Sequence, residues 1–385
     1  MKKLLAFCLI FIVFLFLGPL KSYAIEDPLT HANNKFGIHI LFPSELQKAS
    51  QLVNTNNGDW GYVVIPMQVG DKDLVKWQNF MNDCGKYHLI PIIRLATEGD
   101  YFNTQVWRKP DSADVLDFAN FLNSLDWPTK NKYIIVFNEV NRGDEWGGAP
   151  NPTEYAQLLS YSVTVFKSRN PDFFIISAGM DNAAANANGA MNEYTYYEAM
   201  QQAVPGIFNQ IDGMSSHSYP NPGFSSPPTA TTRMSVGSFL YEEALLDGYS
   251  NKTLPVFITE TGWSQSVVGE KTAADNLVTA YNSIWNDPHI VTVAPFLLNA
   301  GAGPFSQFSF LDTSGNPNDI FKEIAALPKI KGQPTINPQV LAAHTSIYTQ
   351  KFPTESFHNT QFIASNITVS PEIKMLFKWL LQLPI

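Results

Sequence analysis

Two glutamates in this chain stand where an apolar run gives out. Glu139 lies near the end of Tyr133–Val140 (YIIVFNEV), and Glu260 near the end of Pro255–Thr261 (PVFITET). Glutamate is a poor strand residue, so its presence there needs a reason. Two facing carboxylates can divide labour. One, protonated, hands a proton to a leaving oxygen; the other, ionised, attacks the carbon beside it, as cleavage of a glycosidic bond requires. Different surroundings push the two pKa values apart. Either glutamate alone could as well be a structural carboxylate bonded to a loop amide or an arginine. The pair is what points to a site.

Other polar residues collect near the same strand ends. One run closes Ser216-His217-Ser218-Tyr219, and alternation puts His217 and Tyr219 on one side. His39 ends the first strand. Arg94 interrupts Leu89–Ala96 (LIPIIRLA); a buried guanidinium must find an anion, and a glutamate at the site is a sensible partner that it would keep ionised. Trp263 and Trp146 follow the two glutamate-bearing strands and offer flat apolar faces. Trp263 is the first choice for a stacking platform, Trp146 the second and Trp107 a distant third, with rim packing the competing use of each. The seven histidines are scattered, and there is no HExxH and no close acidic cluster, so no metal site is expected. There is no Gly-x-Ser-x-Gly either, and no cofactor is called for.

The elements that must position these residues read as strand and helix in alternation. Strand candidates are Phe36–Phe42, Gly61–Met67, Leu89–Ala96, Tyr133–Val140, Phe173–Ala178, Gly213–Tyr219, Pro255–Thr261 and Val291–Leu298. Helical patterns follow each of them, at Ser44–Val53, Asp73–Tyr87, Ser112–Leu125, Thr153–Ser168, Met191–Ala203, Thr231–Asp247, Ala273–Trp285 and Asn318–Leu327. The strands are continuously apolar rather than alternating, as parallel strands covered on both faces are. Eight such units predict an α/β fold, a closed (β/α)8 TIM barrel, over an open sheet. An open doubly wound sheet would want a Gly-rich phosphate loop after the first strand, and none is there. Ligands of such barrels meet the C-terminal strand ends, where the polar residues gather.

The remaining sequence divides at both ends. Lys2 and Lys3, the apolar run Leu4–Leu20 and Ser22-Tyr23-Ala24 read as a signal peptide over 1–24, with an uncleaved membrane anchor as the alternative. The barrel is expected over 25–328. A C-terminal extension, 329–385, has helix candidates at Leu341–Thr349 and Ile373–Leu383, the second able to pack on the barrel, lie on a membrane or dock a partner. Of the two cysteines, Cys8 falls in the leader and Cys84 stands alone, so no disulfide within the mature chain is expected and the fold must depend on its core. The net charge of −9 argues against a nucleic-acid partner.

The Asn138-Glu139 pair at the end of the fourth strand, with Glu260 in a Thr-Glu-Thr-Gly-Trp setting at the end of the seventh, resembles the clan of retaining (β/α)8 glycoside hydrolases that includes cellulase-like and xylosidase-like families. The resemblance spans about residues 33–328. It implies Glu139 as acid/base, Glu260 as nucleophile and Asn138 as a donor to the sugar 2-hydroxyl. It also implies His217 and Tyr219 beside the nucleophile. Two positions depart from the clan pattern. The second strand, Val64-Ile65-Pro66-Met67-Gln68, lacks the arginine common there, so either Arg94 substitutes or the nucleophile is held differently. The eighth, Pro295-Phe296-Leu297-Leu298-Asn299-Ala300-Gly301, lacks the common tryptophan, so Phe305 or Phe308 is expected to supply the surface. The expected function is a secreted or cell-envelope glycosidase acting on a β-linked poly- or oligosaccharide. A catalytically impaired carbohydrate-binding barrel and a transglycosylase using the same residues are the alternatives.

Overall fold

The computed structural model describes residues 25–101, 103–301 and 303–337. The leader and both tail-helix candidates lie outside the described residues. Eight parallel strands run in chain order: β1 Gly37–His39, β2 Gly61–Gln68, β3 Leu89–Ala96, β4 Lys132–Ile135, β5 Phe173–Ile176, β6 Met214–Ser216, β7 Val256–Ile258 and β8 Ile290–Val293. β1 to β5 form one ladder and β6 to β8 another. Parallel bridges Ile176–Gly213 and Phe36–Val293 join them at both seams. The second seam continues upward as His39 N–H donates to the Pro295 carbonyl (3.0 Å) and Leu298 N–H to the His39 carbonyl (2.9 Å). The strands thus follow one another round a (β/α)8 barrel, as the eight apolar runs predict.

Among the described residues, eight helices of eight residues or more cover the outside: α1 Leu46–Val53, α2 Leu74–Lys86, α3 Ser112–Asn123, α4 Pro152–Arg169, α5 Glu193–Ala203, α6 Ser238–Asp247, α7 Glu270–Asn282 and α8 Asp319–Ala326. Their starts are set by side chains that satisfy orphan N–H groups. Asp73 accepts from Val75 and Lys76 N–H, Asp111 from Ala113 and Asp114, Asn151 from Glu154 just before Pro152, and Asn318 from Phe321. Among the described residues no helix is long and apolar enough to cross a membrane.

The interior is filled in layers, and this decides where a site can be. The strand residues that face inward low in the barrel (Trp60, Tyr62, Ile90, Tyr133, Phe174, Phe257) pack together as a plug. Outward-facing strand residues join the helices in the main core, where Trp77, Trp127, Trp146, Trp263 and Trp285 are all essentially buried. Burying such a side chain contributes roughly 1.5–3 kcal/mol. Residues 329–337 strap across the bottom: Gly332 N–H donates to the Asp59 carbonyl (2.9 Å), Lys130 N–H to Thr335 (2.8 Å) and Asn337 N–H to Pro128 (2.9 Å). With that end plugged, the open space lies at the C-terminal strand ends, under a third, aromatic cluster of Leu41, Tyr219, Phe296 and Phe308.

Several strands stop earlier than the apolar runs suggest. Tyr133–Val140 pairs as a strand only to Ile135 because Phe137 and Glu139 carry φ of +68° and +35°. Left-handed backbone at a non-glycine residue costs about 1–3 kcal/mol and cannot continue a parallel ladder. It turns the chain so that Asn138 and Glu139 leave the wall of the barrel and face its mouth.

Candidate active site

Glu139 and Glu260 meet across the mouth. Each offers a carboxylate oxygen, and His217 a ring nitrogen, that all lie within 4.8 Å of one another. Glu260 Oε1 accepts from Arg94 Nη1 at 2.8 Å, and Oε2 from the Tyr219 hydroxyl at 3.1 Å. Glu139 Oε1 lies 3.0 Å from His217 Nδ1, and Oε2 accepts from Arg142 Nη1 at 3.1 Å. His217 Nδ1 is also 3.8 Å from Glu260 Oε2, so the imidazole sits between the two carboxylates. The cluster opens into a cleft of 320 Å³ whose walls include Arg94, Tyr101, Trp107, Asn138, Arg142, Glu145, Phe296, Phe305 and Phe308. That volume is at the lower end of small-ligand pockets.

Arg94 stands where the departure at the second strand asked for a replacement. It is in register with Pro66 of β2, and the same Nη1 that bonds Glu260 also donates to Asn138 Oδ1. The arginine therefore ties the two glutamate-bearing strands together through one nitrogen. Just beyond β8, Phe296 stands where the clan pattern has an indole. It lines the cleft together with Phe305 and Phe308, which stand 5.2 and 6.3 Å from it ring to ring.

The environment sets the protons. Burial pushes the Glu139 carboxyl up, but the hydrogen bond and charge of His217, with the charges of Arg142 and Arg94, outweigh it and hold the group below its ordinary range. Burial pulls His217 down, while the charge of Glu260 and the bond and charge of Glu139 raise it above its ordinary value. In the substrate-free cleft a proton accordingly belongs to the His217–Glu139 pair and rests on Nδ1. Burial, and then the charges of Glu260 and Glu139, push Tyr219 far up, so its hydroxyl stays a donor. Gly179 makes the imidazole's seat: a Cβ there would fall well inside van der Waals contact with His217 Cδ2 and Nε2, and 2.8 Å from Ser215 Oγ. The Gly179 carbonyl also accepts the Glu139 N–H at 2.9 Å.

Three expected residues sit elsewhere than in the cleft. Trp263 and Trp146 are corrections: both are 2% exposed or less and belong to the helix-side core. Trp263 packs 6.1 Å from Trp285 and donates through Nε1 to the Ser226 carbonyl (2.7 Å). Trp146 lies edge-on to Tyr155 at 5.6 Å. Neither face is open to a sugar. The aromatic rim is built by Tyr101 and Trp107, 6.0 Å apart, which do line the cleft. His39 is fully buried beneath the cleft rather than part of its wall. Its Nε2 is 3.7 Å from Glu260 Oε1, neither ring nitrogen has a hydrogen-bond partner, and Phe296 lies edge-on to it at 5.0 Å. Burial, Arg94 and His217 push its pKa well down, so it backs Glu260 as a neutral ring.

The loop after β4 brings residues that the sequence reading did not single out. Arg142 bonds Glu139 and, through Nε, Asp144 at 3.1 Å, and lies 3.7 Å from Asp181. Glu145 adds a third carboxyl to the cleft. The only sequence signal was the polar run Asn141-Arg142-Gly143-Asp144-Glu145, one residue beyond Glu139. Both Glu260 oxygens and Glu139 Oε2 already accept bonds from Arg94, Tyr219 and Arg142.

No protein-family model and no curated protein sequence matches the chain. Solved structures do share its fold. An endo-β-1,3-glucanase of glycoside hydrolase family 128 (subgroup II) from Pseudomonas viridiflava superposes with a TM-score of 0.51 at 15% identity, over 77% of this chain and 99% of that one. A family 39 glycoside hydrolase from Bacteroides cellulosilyticus WH2 gives 0.53 at 18% identity, over 78% of this chain and 64% of that one, just under two thirds of its length. A subfamily GH5_18 protein from Streptomyces cattleya, in complex with GlcNAc, gives 0.53 at 14% identity, over 77% and 79%. The architecture is therefore that of the (β/α)8 glycoside hydrolases.

Proposed function

We propose that this protein is a retaining glycoside hydrolase that cleaves a β-linked poly- or oligosaccharide. The observation that carries the reading is the carboxylate pair: oxygens of Glu139 and Glu260 lie within 4.8 Å of each other. Retaining enzymes hold their carboxyls about 5–5.5 Å apart, and inverting ones about 6.5–9.5 Å apart to admit a water. The neighbours' glycosidase names support the class, and the leader-like residues 1–24 support action outside the cytoplasm.

Glu260, held by Arg94 and oriented by Tyr219, attacks the anomeric carbon and forms a covalent glycosyl-enzyme. Glu139 takes the proton held 3.0 Å away on His217 Nδ1 and delivers it to the departing glycosidic oxygen. The roles then reverse: Glu139 withdraws a proton from water, which attacks the anomeric carbon and releases Glu260. Asn138, oriented by Arg94, donates to the sugar 2-hydroxyl. The same intermediate would pass to an acceptor sugar, but nothing in the cleft favours an acceptor over water. A binding-only barrel would have no use for an arginine and a phenol both aimed at Glu260. The test is a panel of β-1,3-glucan, β-1,4-mannan, β-1,4-galactan and aryl β-glycosides, with Glu139→Gln as control. Turnover that the substitution removes supports the reading. No turnover on any member, or turnover that Glu139→Gln leaves intact, overturns it.

A further inference from the structure

A general acid must hold a proton when substrate arrives, yet Arg142 sets a guanidinium directly on Glu139. The contact is built locally. Arg142 N–H donates to the Glu139 carbonyl (2.8 Å), closing the turn that the left-handed backbone of Glu139 begins. Its Nη1 then reaches back to Glu139 Oε2 at 3.1 Å. The guanidinium is fixed along its other edge, where Nε and Nη2 both bond the Asp144 carboxylate. A planar fork fits a carboxylate best in this two-pronged way. Nη1 also lies 3.7 Å from Asp181 Oδ2. Asp181 is held in turn: its N–H donates to Asn141 Oδ1, and Asn141 Nδ2 to the Asp181 carbonyl, both at 3.0 Å. Gly143 N–H ties the loop to the Gly189 carbonyl (2.7 Å). A Cβ at Gly143 would lie 2.7 Å from the carbonyl oxygens of Gly148 and Gly189, so a side chain there would push the loop apart.

The two oxygens of Glu139 are thereby told apart. Oε1 faces His217 Nδ1 at 3.0 Å, and that nitrogen stands 3.8 Å from Glu260 Oε2; Oε2 faces Arg142. The last torsion of a glutamate has a broad, two-fold profile, and a cation at each oxygen removes that freedom. The same arrangement serves the proton. As Oε1 hands it to the glycosidic oxygen and the C–O bond breaks, negative charge returns to the carboxyl. Arg142 is already aimed at that charge from the opposite oxygen. A fixed charge that meets one developing in the transition state needs no reorganisation. This help counts where the leaving group needs a proton. A sugar alkoxide needs one, whereas a dinitrophenolate departs without it.

We propose that Arg142 is a positioning residue for the acid step: from Glu139 Oε2 it fixes the carboxyl with Oε1 toward His217 and stabilises the charge left behind as the proton departs, which suits the site to a sugar rather than an acidic phenol as leaving group. This rests on the glycosidase reading above. The other charged groups around the pair are His217, Glu260, Arg94, Asp144, Asp181 and Glu145. Burial, and then the charge of Glu139, raise the Glu145 carboxyl to about 7, so its titration has to be separated from that of Glu139.

The experiment compares a β-linked disaccharide of the sugar that the polysaccharide panel identifies with the dinitrophenyl β-glycoside of the same sugar. The readout is kcat/KM, which follows the step that forms the glycosyl-enzyme. Arg142→Met keeps the length of the side chain and removes its charge. It should cost about 10- to 100-fold more on the disaccharide than on the dinitrophenyl glycoside, a share of what general acid catalysis supplies. The basic limb of the disaccharide profile should also move to higher pH, because one of the charges that hold Glu139 down is gone. The same shift should persist in a Glu145→Gln background. Arg142→Lys returns the charge without the fork, so the limb should return while only part of the rate is recovered. If Arg142→Met does not fold, Asp144→Asn loosens the fork at nearly unchanged volume and should show the same leaving-group dependence. Equal losses on both substrates, no loss on either, or a limb that stays in place overturn the inference while leaving the glycosidase reading standing. A wild-type protein that hydrolyses no aryl β-glycoside and no member of the polysaccharide panel overturns both.

Discussion

Gly179→Ala tests how tightly the site depends on one imidazole. The substitution adds a single carbon, at a glycine whose backbone is not in the left-handed region. That carbon would approach His217 Cδ2 and Nε2 to under 3.0 Å, a separation real Cβ atoms essentially never show. Relaxing to an ordinary contact near 3.5 Å displaces the ring by on the order of 1 Å. The ring has no slack. It is 2% exposed, 3.0 Å from Glu139 Oε1 on one side and 3.8 Å from Glu260 Oε2 on the other. A 1 Å misplacement of a reacting group costs about 100-fold, equivalent to about 2.7 kcal/mol in the barrier. Overpacking costs about 1–3 kcal/mol of stability, which leaves a folded protein. The assay is kcat/KM on an aryl β-glycoside, with the unfolding midpoint measured in parallel. We expect about a 100-fold loss with a modest fall in midpoint. A variant within threefold of wild type would refute the argument, because His217 would then have moved without consequence or not moved at all.

Further outcomes follow from the same geometry. Glu260→Ala should abolish hydrolysis, and azide should restore turnover through an α-glycosyl azide, as expected when the nucleophile's face is vacated; rescue giving the β-azide would contradict its role. His217→Gln removes the base that holds the proton for Glu139, and Glu139 is itself held low by Arg142 and Arg94. The basic limb of the kcat/KM profile should therefore move to lower pH, and an unmoved limb would contradict the shared proton. Away from the cleft, burial raises Glu242 to about 7 despite the bond from the Ser216 hydroxyl at 2.8 Å. A raised folded-state pKa means that stability is full below about 4.5 and is lost as pH rises toward 7. The loss reaches at most about 3 kcal/mol. Glu242→Gln should thus unfold at higher urea than wild type at pH 8 and match it at pH 4.5, and equal midpoints at both would contradict the sign.

Much of the barrel is legible in the sequence because strands buried on both faces have one residue pattern and few competitors. β2 and β3 carry apolar runs that match their ladders almost residue for residue. β4, β6 and β7 do not, because polar residues and left-handed backbone at Phe137 and Glu139 end the ladder while the hydropathy continues. The glutamates and Arg94 stand out as charged residues in apolar runs, where burial demands a partner. The tryptophans do not sort this way. An indole after a strand end has the same composition whether its face meets a helix, as in Trp146 and Trp263, or a cleft, as in Trp107. Arg142 and Glu145 gain their places only when the loop closes on Trp107 and Gly189, contacts 35 and more residues away in sequence for the first and more than 40 for the second.

The most direct test of the paired-carboxylate claim is the anomeric configuration of the first-formed product, followed by proton NMR during hydrolysis of a β-glycoside. Oxygens of Glu139 and Glu260 within 4.8 Å of each other suit the shorter carboxyl separation of retaining enzymes. The β-anomer should therefore appear first and mutarotate later. The α-anomer appearing first would mean direct displacement by water, and would contradict Glu260 as nucleophile.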